Sequence, residues 1–169
     1  MGSAGHLVKS KQRFLCVVVV VGMAAAALLT ACTAEVSAEM TTYSGVNAIR
    51  QQAGLPPLTP DANLVKIARL RSADMAANGY FSHYPPNGCN YICLMDQYGI
   101  PHAWAGENID WNSWDWNQTA DVAVQMWKNS PPHLEDILNC HYQRFGTGLV
   151  KAADGKIYYT MLFDGDATC

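Results

Sequence analysis

The sequence predicts an α+β domain, several helices with a small antiparallel sheet, on three observations. Leu64, Ile67, Ala68, Leu70, Met75 and Ala76 recur at helical spacing, with Arg71 placed outward, and Gly79 ends the run. Residues 146–150 and 157–163 are short strand-forming runs on either side of Ala153-Asp154-Gly155, the pattern of a hairpin. Residues 103–112 supply a further strand.

Taken in order, the chain opens with Lys9, Lys11 and Arg13 and then an apolar run from Phe14 to Ala31, the layout of a signal peptide over residues 1–31. Leu29-Thr30-Ala31-Cys32 resembles a bacterial lipobox, which makes Cys32 a lipid acceptor and places the protein on the extracytoplasmic face of the cell membrane. The competing reading is cleavage after Val36-Ser37-Ala38, which releases a secreted protein. Residues 32–43 are small and polar and read as a tether; residues 44–169 form the domain. Val46, Ile49 and Ala53 mark a first helix stopped by Gly54, and Leu55-Pro56-Pro57-Leu58 a turn. Thr59 with Pro60 behind it reads as the start of the second helix. A third covers 91–98, closed by Gly99, and a fourth about 119–127, with Val122, Val124, Met126 and Trp127 packing. Ser130 is placed as the hydroxyl cap of a short fifth helix, with Pro131 at its first position.

Without the first 31 residues, eight basic side chains face 14 acidic ones. That balance excludes a nucleic-acid surface, which needs a basic patch to displace counterions. Cys16 falls in the signal peptide, and Cys89, Cys93, Cys140 and Cys169 remain as two expected disulfides of an exported domain. Folding the hairpin about Asp154 brings the residue before its first strand beside the one after its second. That pairs Cys140 with Cys169 and leaves Cys89 with Cys93. A metal site using Cys89, Cys93 and nearby His83 is the alternative.

Three strings follow one another along the domain: Phe81-Ser82-His83, Ala105-Gly106-Glu107-Asn108, and Trp127-Lys128-Asn129-Ser130-Pro131-Pro132-His133. In this order, with the hairpin behind them, they resemble the CAP superfamily (cysteine-rich secretory, antigen 5 and pathogenesis-related 1 proteins, or SCP domains), in its bacterial branch, over roughly residues 44–163. The resemblance implies an α-β-α sandwich, a small antiparallel sheet flanked by helices. It also implies a cavity where the family has two histidines and two glutamates. His83 and His133 match the histidines and Glu107 one glutamate, while the second glutamate falls on Ser130; Pro132 replaces the usual glycine. Family members bind sterols or fatty acids, so the resemblance points to a lipid or sterol-like ligand.

The residues themselves admit three functions. In the first, His83, Glu107, His133 and Ser130 line a cleft that binds a small hydrophobic ligand, a divalent metal such as zinc held by His83 and His133, or both, without catalysis. In the second, the same residues form a metal-dependent hydrolase acting on envelope peptides or peptidoglycan. In the third, Glu107 merely ties strand to helices in an envelope scaffold for protein partners. A Ser-His hydrolase is disfavoured, because Ser82 adjoins His83 and no Gly-x-Ser-x-Gly elbow exists. Trp104, Trp111, Trp114 and Trp116 form either an exposed aromatic rim or a cover over the core.

Overall fold

In the computed structural model, residues 34–169 are described. Residues 1–31 and Cys32, read as signal peptide and lipid acceptor, lie outside them. The chain divides into two units, Met1–Val36 and Ser37–Cys169; of the first, residues 34–36 are described and are helical. No helix of the described residues is long and apolar enough to cross a membrane.

The second unit begins with helix α1, residues 37–52. Much of the expected tether is therefore helix. Ala38, Thr42, Tyr43, Val46, Ile49 and Arg50 make one buried stripe, in which polar Thr42 and Arg50 disguise the apolar period. Thr42 returns its hydroxyl to the Ala38 carbonyl. Arg50 donates to the carbonyls of Pro56, Ile137 and Asn139 at 2.8–2.9 Å, so a charge inside the domain is spent on loop carbonyls.

Thr59–Pro60 is strand β1 rather than a helix start. Thr59 and Asp61 donate their amides to Gln143 and Phe145, and Pro60, with no amide, sits between them on a sheet edge. The cap of α2 (Ala62–Asn78) is Asp61, whose carboxylate accepts from the Asn63 and Leu64 amides. Gly79 closes it at φ 65°, in the left-handed region. Helix α3 is Tyr91–Gln97, β2 is Trp104–Asn112, α4 is Thr119–Lys128, α5 is Pro131–Leu138, β3 is Arg144–Lys151 and β4 is Ile157–Gly165. Ser130 stands at the first position before α5 in extended backbone, with Pro131 behind it as expected, but its side chain makes no capping bond. Within α4, Val124 and Trp127 are buried as expected, whereas Met126 is exposed and Ala120 and Ala123 complete the packed face.

The sheet order is β1-β3-β4-β2, with β3, β4 and β2 antiparallel and the two-residue β1 parallel to β3. It is thus mixed, though antiparallel in its three long strands. Helix α2 packs on one face, where Leu64, Ile67, Ala68, Met95 and Leu162 form one core. The other face carries α1, α4 and α5 over Phe145, Leu149, Tyr159, Met161 and Phe163. The architecture is an α-β-α sandwich, and its central strand β4 is buried along its whole length. Cys89–Cys93 and Cys140–Cys169 are both disulfides, with Cα separations of 5.2 and 5.7 Å. The sulfurs of Cys89 and Cys93 are thereby excluded as metal ligands.

On the α4 face, Asp110 of β2 is buried beside Asn112, whose amide also donates to the Thr119 carbonyl. Burial pushes the Asp110 carboxyl up to about 6, against the weaker opposing pull of the Asn112 amide. The folded domain then keeps this proton up to about pH 6, while the unfolded chain releases it near 3.8. This group therefore favours the folded state most below pH 4 and loses that contribution as pH rises to 6. Urea unfolding across pH 4–7 should show Asp110→Asn gaining stability relative to wild type as pH rises; parallel curves would mean that the carboxyl is not held in this way.

Candidate functional site

Glu107 lies on β2, an edge strand, so the cleft beside it opens where the two helical layers part. Alternation along β2 turns Glu107 toward α2 and its neighbours Gly106 and Asn108 toward α5. The Glu107 side chain is 1% exposed. One oxygen accepts from Arg71 Nε at 2.8 Å and the other from His83 Nδ1 at 2.7 Å. Since a carboxylate oxygen only accepts, the imidazole hydrogen sits on Nδ1. Arg71 also donates to the Tyr80 hydroxyl and the Ser82 carbonyl, at 3.0 and 2.9 Å. One guanidinium thus fixes the strand, the helix and the loop that carries His83.

Arg71 reverses the expectation from the sequence. It is buried and Leu70 is exposed. Its position, three or four residues from Ile67, Ala68 and Met75, lies on the buried face, and that spacing was the available signal.

A cavity of about 320 Å³ is lined by His83, Tyr84, Tyr91, Glu107 and Asp136 among others. Asp136 is the second residue that sequence reasoning missed. It stands three positions after His133 on α5, hence on the same helix face. Burial pushes its carboxyl up to about 6, opposed by the Tyr142 hydroxyl. Gly106 makes room for this arrangement, since a Cβ there would stand 2.4 Å from that hydroxyl and 3.2 Å from an Asp136 oxygen. Tyr91 is driven up to about 12, by burial first and then by the charges of Glu107 and Asp136, and so remains a donor.

His133 is not among the lining residues. It is half-buried in the first turn of α5, and its carbonyl accepts from Asn108 Nδ2 at 3.0 Å. Burial, and then the nearby His83, lower its pKa, which keeps the ring neutral. Ser130, where the family's second glutamate falls, is likewise not among the lining residues.

These positions do not fit a three-ligand zinc centre. Among the described residues, the one set of three whose ligand atoms lie within 4.8 Å of one another is Cys140, His141 and Cys169, and two of those sulfurs are joined. Glu107 has its two oxygens committed to Arg71 and His83, and two imidazoles alone fall short of the three protein ligands a catalytic zinc takes. Of the tryptophans, Trp104, Trp111 and Trp114 are exposed, and Trp116 packs partly against the core. Trp104 stacks on His141 with ring centroids 3.8 Å apart.

Comparison with known proteins places the family and the fold. The model of the cysteine-rich secretory protein family matches residues 43–163. The uncharacterized protein YkwD of Bacillus subtilis is 38% identical over 106 residues, 63% of this chain and 40% of its own. The uncharacterized membrane protein YlbC of the same organism is 34% identical over 117 residues, 69% of this chain and 31% of its own. This chain therefore spans less than half of either relative. A crystal structure of an extracellular protein containing an SCP domain from Bacillus anthracis superposes with a TM-score of 0.68 at 28% identity, covering 78% of this chain and 41% of that one.

Proposed function

The chain belongs to the cysteine-rich secretory protein family, and from that premise we propose that it is an exported binding protein, anchored by a lipid on Cys32, whose cleft holds a small lipid-like ligand without transforming it. The observation that carries this reading is the state of Glu107. With its side chain 1% exposed and each oxygen already accepting from a fixed donor within 2.8 Å, Glu107 stands as a buried acceptor that ties Arg71 and His83 together rather than as a base open to a substrate. The cleft walls supply what a binding site needs: Tyr84, Tyr91 and Ala105 for apolar contact, and Asn90, Asp136 and the free Nε2 of His83 for a polar end. A volume near 320 Å³ suits the head of a lipid better than its whole length. The anchor is supported by Leu29-Thr30-Ala31-Cys32 and by the name of the related membrane protein.

Native mass spectrometry of the full chain in mild detergent, exposed to a lipid extract of the bacterial envelope, tests the cleft. A discrete lipid adduct is expected for wild type and at least tenfold less of it for Tyr91→Ala and Asp136→Ala. A bare mass, or adducts indifferent to both changes, would reject the reading. Cys32→Ala should move the protein from membranes to medium; unchanged fractionation removes the anchor.

A further inference from the structure

A second cavity, of about 360 Å³, lies on the α3 side of α2, with Cys89 in its wall beside Leu70, Leu94, Tyr98 and Gln97. Three features set the Cys89–Cys93 bond apart from Cys140–Cys169. Its sequence separation is 4 against 29, so it constrains the unfolded chain far less and contributes less to stability. It has a donor in place for its sulfurs: Gln97 Nε2 lies 3.3 Å from Cys89 Sγ and 3.4 Å from Cys93 Sγ. Gln97 follows Cys93 by one helical turn on α3, so that donor stays beside Cys93 when the bond opens. Cys89, in turn, borders that cavity, whose wall also includes Arg71, held in its ion pair with Glu107, and Asp74, whose carboxylate accepts from the Tyr80 hydroxyl.

We infer that Cys89–Cys93 is a thiol–disulfide exchange site for a small dithiol that enters this cavity. The substrate thiolate attacks Cys89 Sγ, forming a mixed disulfide as the Cys89–Cys93 bond breaks, and its electron pair leaves on Cys93 Sγ, which receives the Gln97 N–H. The second substrate thiol attacks the substrate's own sulfur in that mixed disulfide and expels Cys89. The substrate leaves as a disulfide, and two electrons and two protons remain on the cysteine pair; the reverse sequence oxidises them again. This site is separate from the His83–Glu107 cleft and does not depend on what that cleft binds.

The test treats the full chain with limiting dithiothreitol, quenches with acid, blocks free thiols with maleimide and reads each disulfide by peptide mass spectrometry. Glutathione in parallel maps the sulfur first attacked. Cys89–Cys93 should open at least tenfold faster than Cys140–Cys169, with the glutathione adduct on Cys89. Gln97 is exposed, so its variants should fold, which circular dichroism verifies. Gln97→Leu should slow opening about tenfold, the loss of one hydrogen bond to a charged group, while Gln97→Lys, which keeps a donor, should match or exceed wild type. Equal opening of the two disulfides, an adduct on Cys93, or any other order of the Gln97 variants would overturn the inference.

Discussion

Arg71→Leu will destabilise the domain by about 3–5 kcal/mol, the usual effect of stripping one partner from a buried ion pair. Both side chains are 1% exposed, so Glu107 would be left inside the protein with His83 as its one remaining side-chain partner. The lost bonds to Tyr80 and Ser82 would also free the loop that presents His83. Urea unfolding measures the loss directly. The double variant Arg71→Leu/Glu107→Leu should recover a large part of it, because the buried charge left without its guanidinium is the main penalty. A single variant within about 1 kcal/mol of wild type would show that the pair does not organise the site.

Gly148→Ala will lower stability by about 3 kcal/mol, at the upper end for overpacking. Gly146 and Gly148 are the two positions where β3 meets the backbone of α2. A Cβ on Gly148 would stand 2.2 Å from the Arg69 amide nitrogen and 2.6 Å from the Ala68 carbonyl carbon, and one on Gly146 2.2 Å from the Val65 nitrogen. Backbone cannot rotate away as a side-chain tip can, so α2 must shift. The Ser72 hydroxyl, which donates to the Gly148 carbonyl at 2.9 Å, would shift with it. So would Arg71. Gly148→Ala should therefore also weaken any ligand adduct of the cleft, although the cleft itself is untouched. Wild-type stability by urea unfolding would show that the helix seats loosely.

What the sequence made legible follows from where its signals were local. The hairpin around Asp154 was readable from strand-forming runs and a turn, and it carried the Cys140–Cys169 pairing with it. His83 and Glu107 were readable as candidates because short motifs mark them, and the fold brings the two side chains together at 2.7 Å. Three readings failed because a long-range partner decides the outcome. Arg71 looks like a solvent-facing cation until Glu107, 36 positions away, is known to be there. Thr59-Pro60 reads as a helix start unless β3 is present to accept it as a strand. Residues 37–43 have a tether's composition, yet Ala38, Thr42 and Tyr43 pack, and Glu39 pairs with Arg69 of α2 at 2.6 Å. Asp136 belongs to none of the three motifs, and its spacing of three from His133 on α5 was the available signal.

The strand order sets a schedule for assembly. Strands β2 and β3 never touch; each pairs with β4, which follows every other element along the chain. A polypeptide emerging from its N-terminal end can wind its helices early, but its sheet stays in two unjoined pieces, β1 with β3 and β2 alone, until residues 157–165 arrive. Strand β4 then joins the two pieces by pairing with both β2 and β3. For the exported protein proposed above, threading a membrane pore unfolded, this would be an intrinsic delay: most of its length remains pliable until little of it is left to pass.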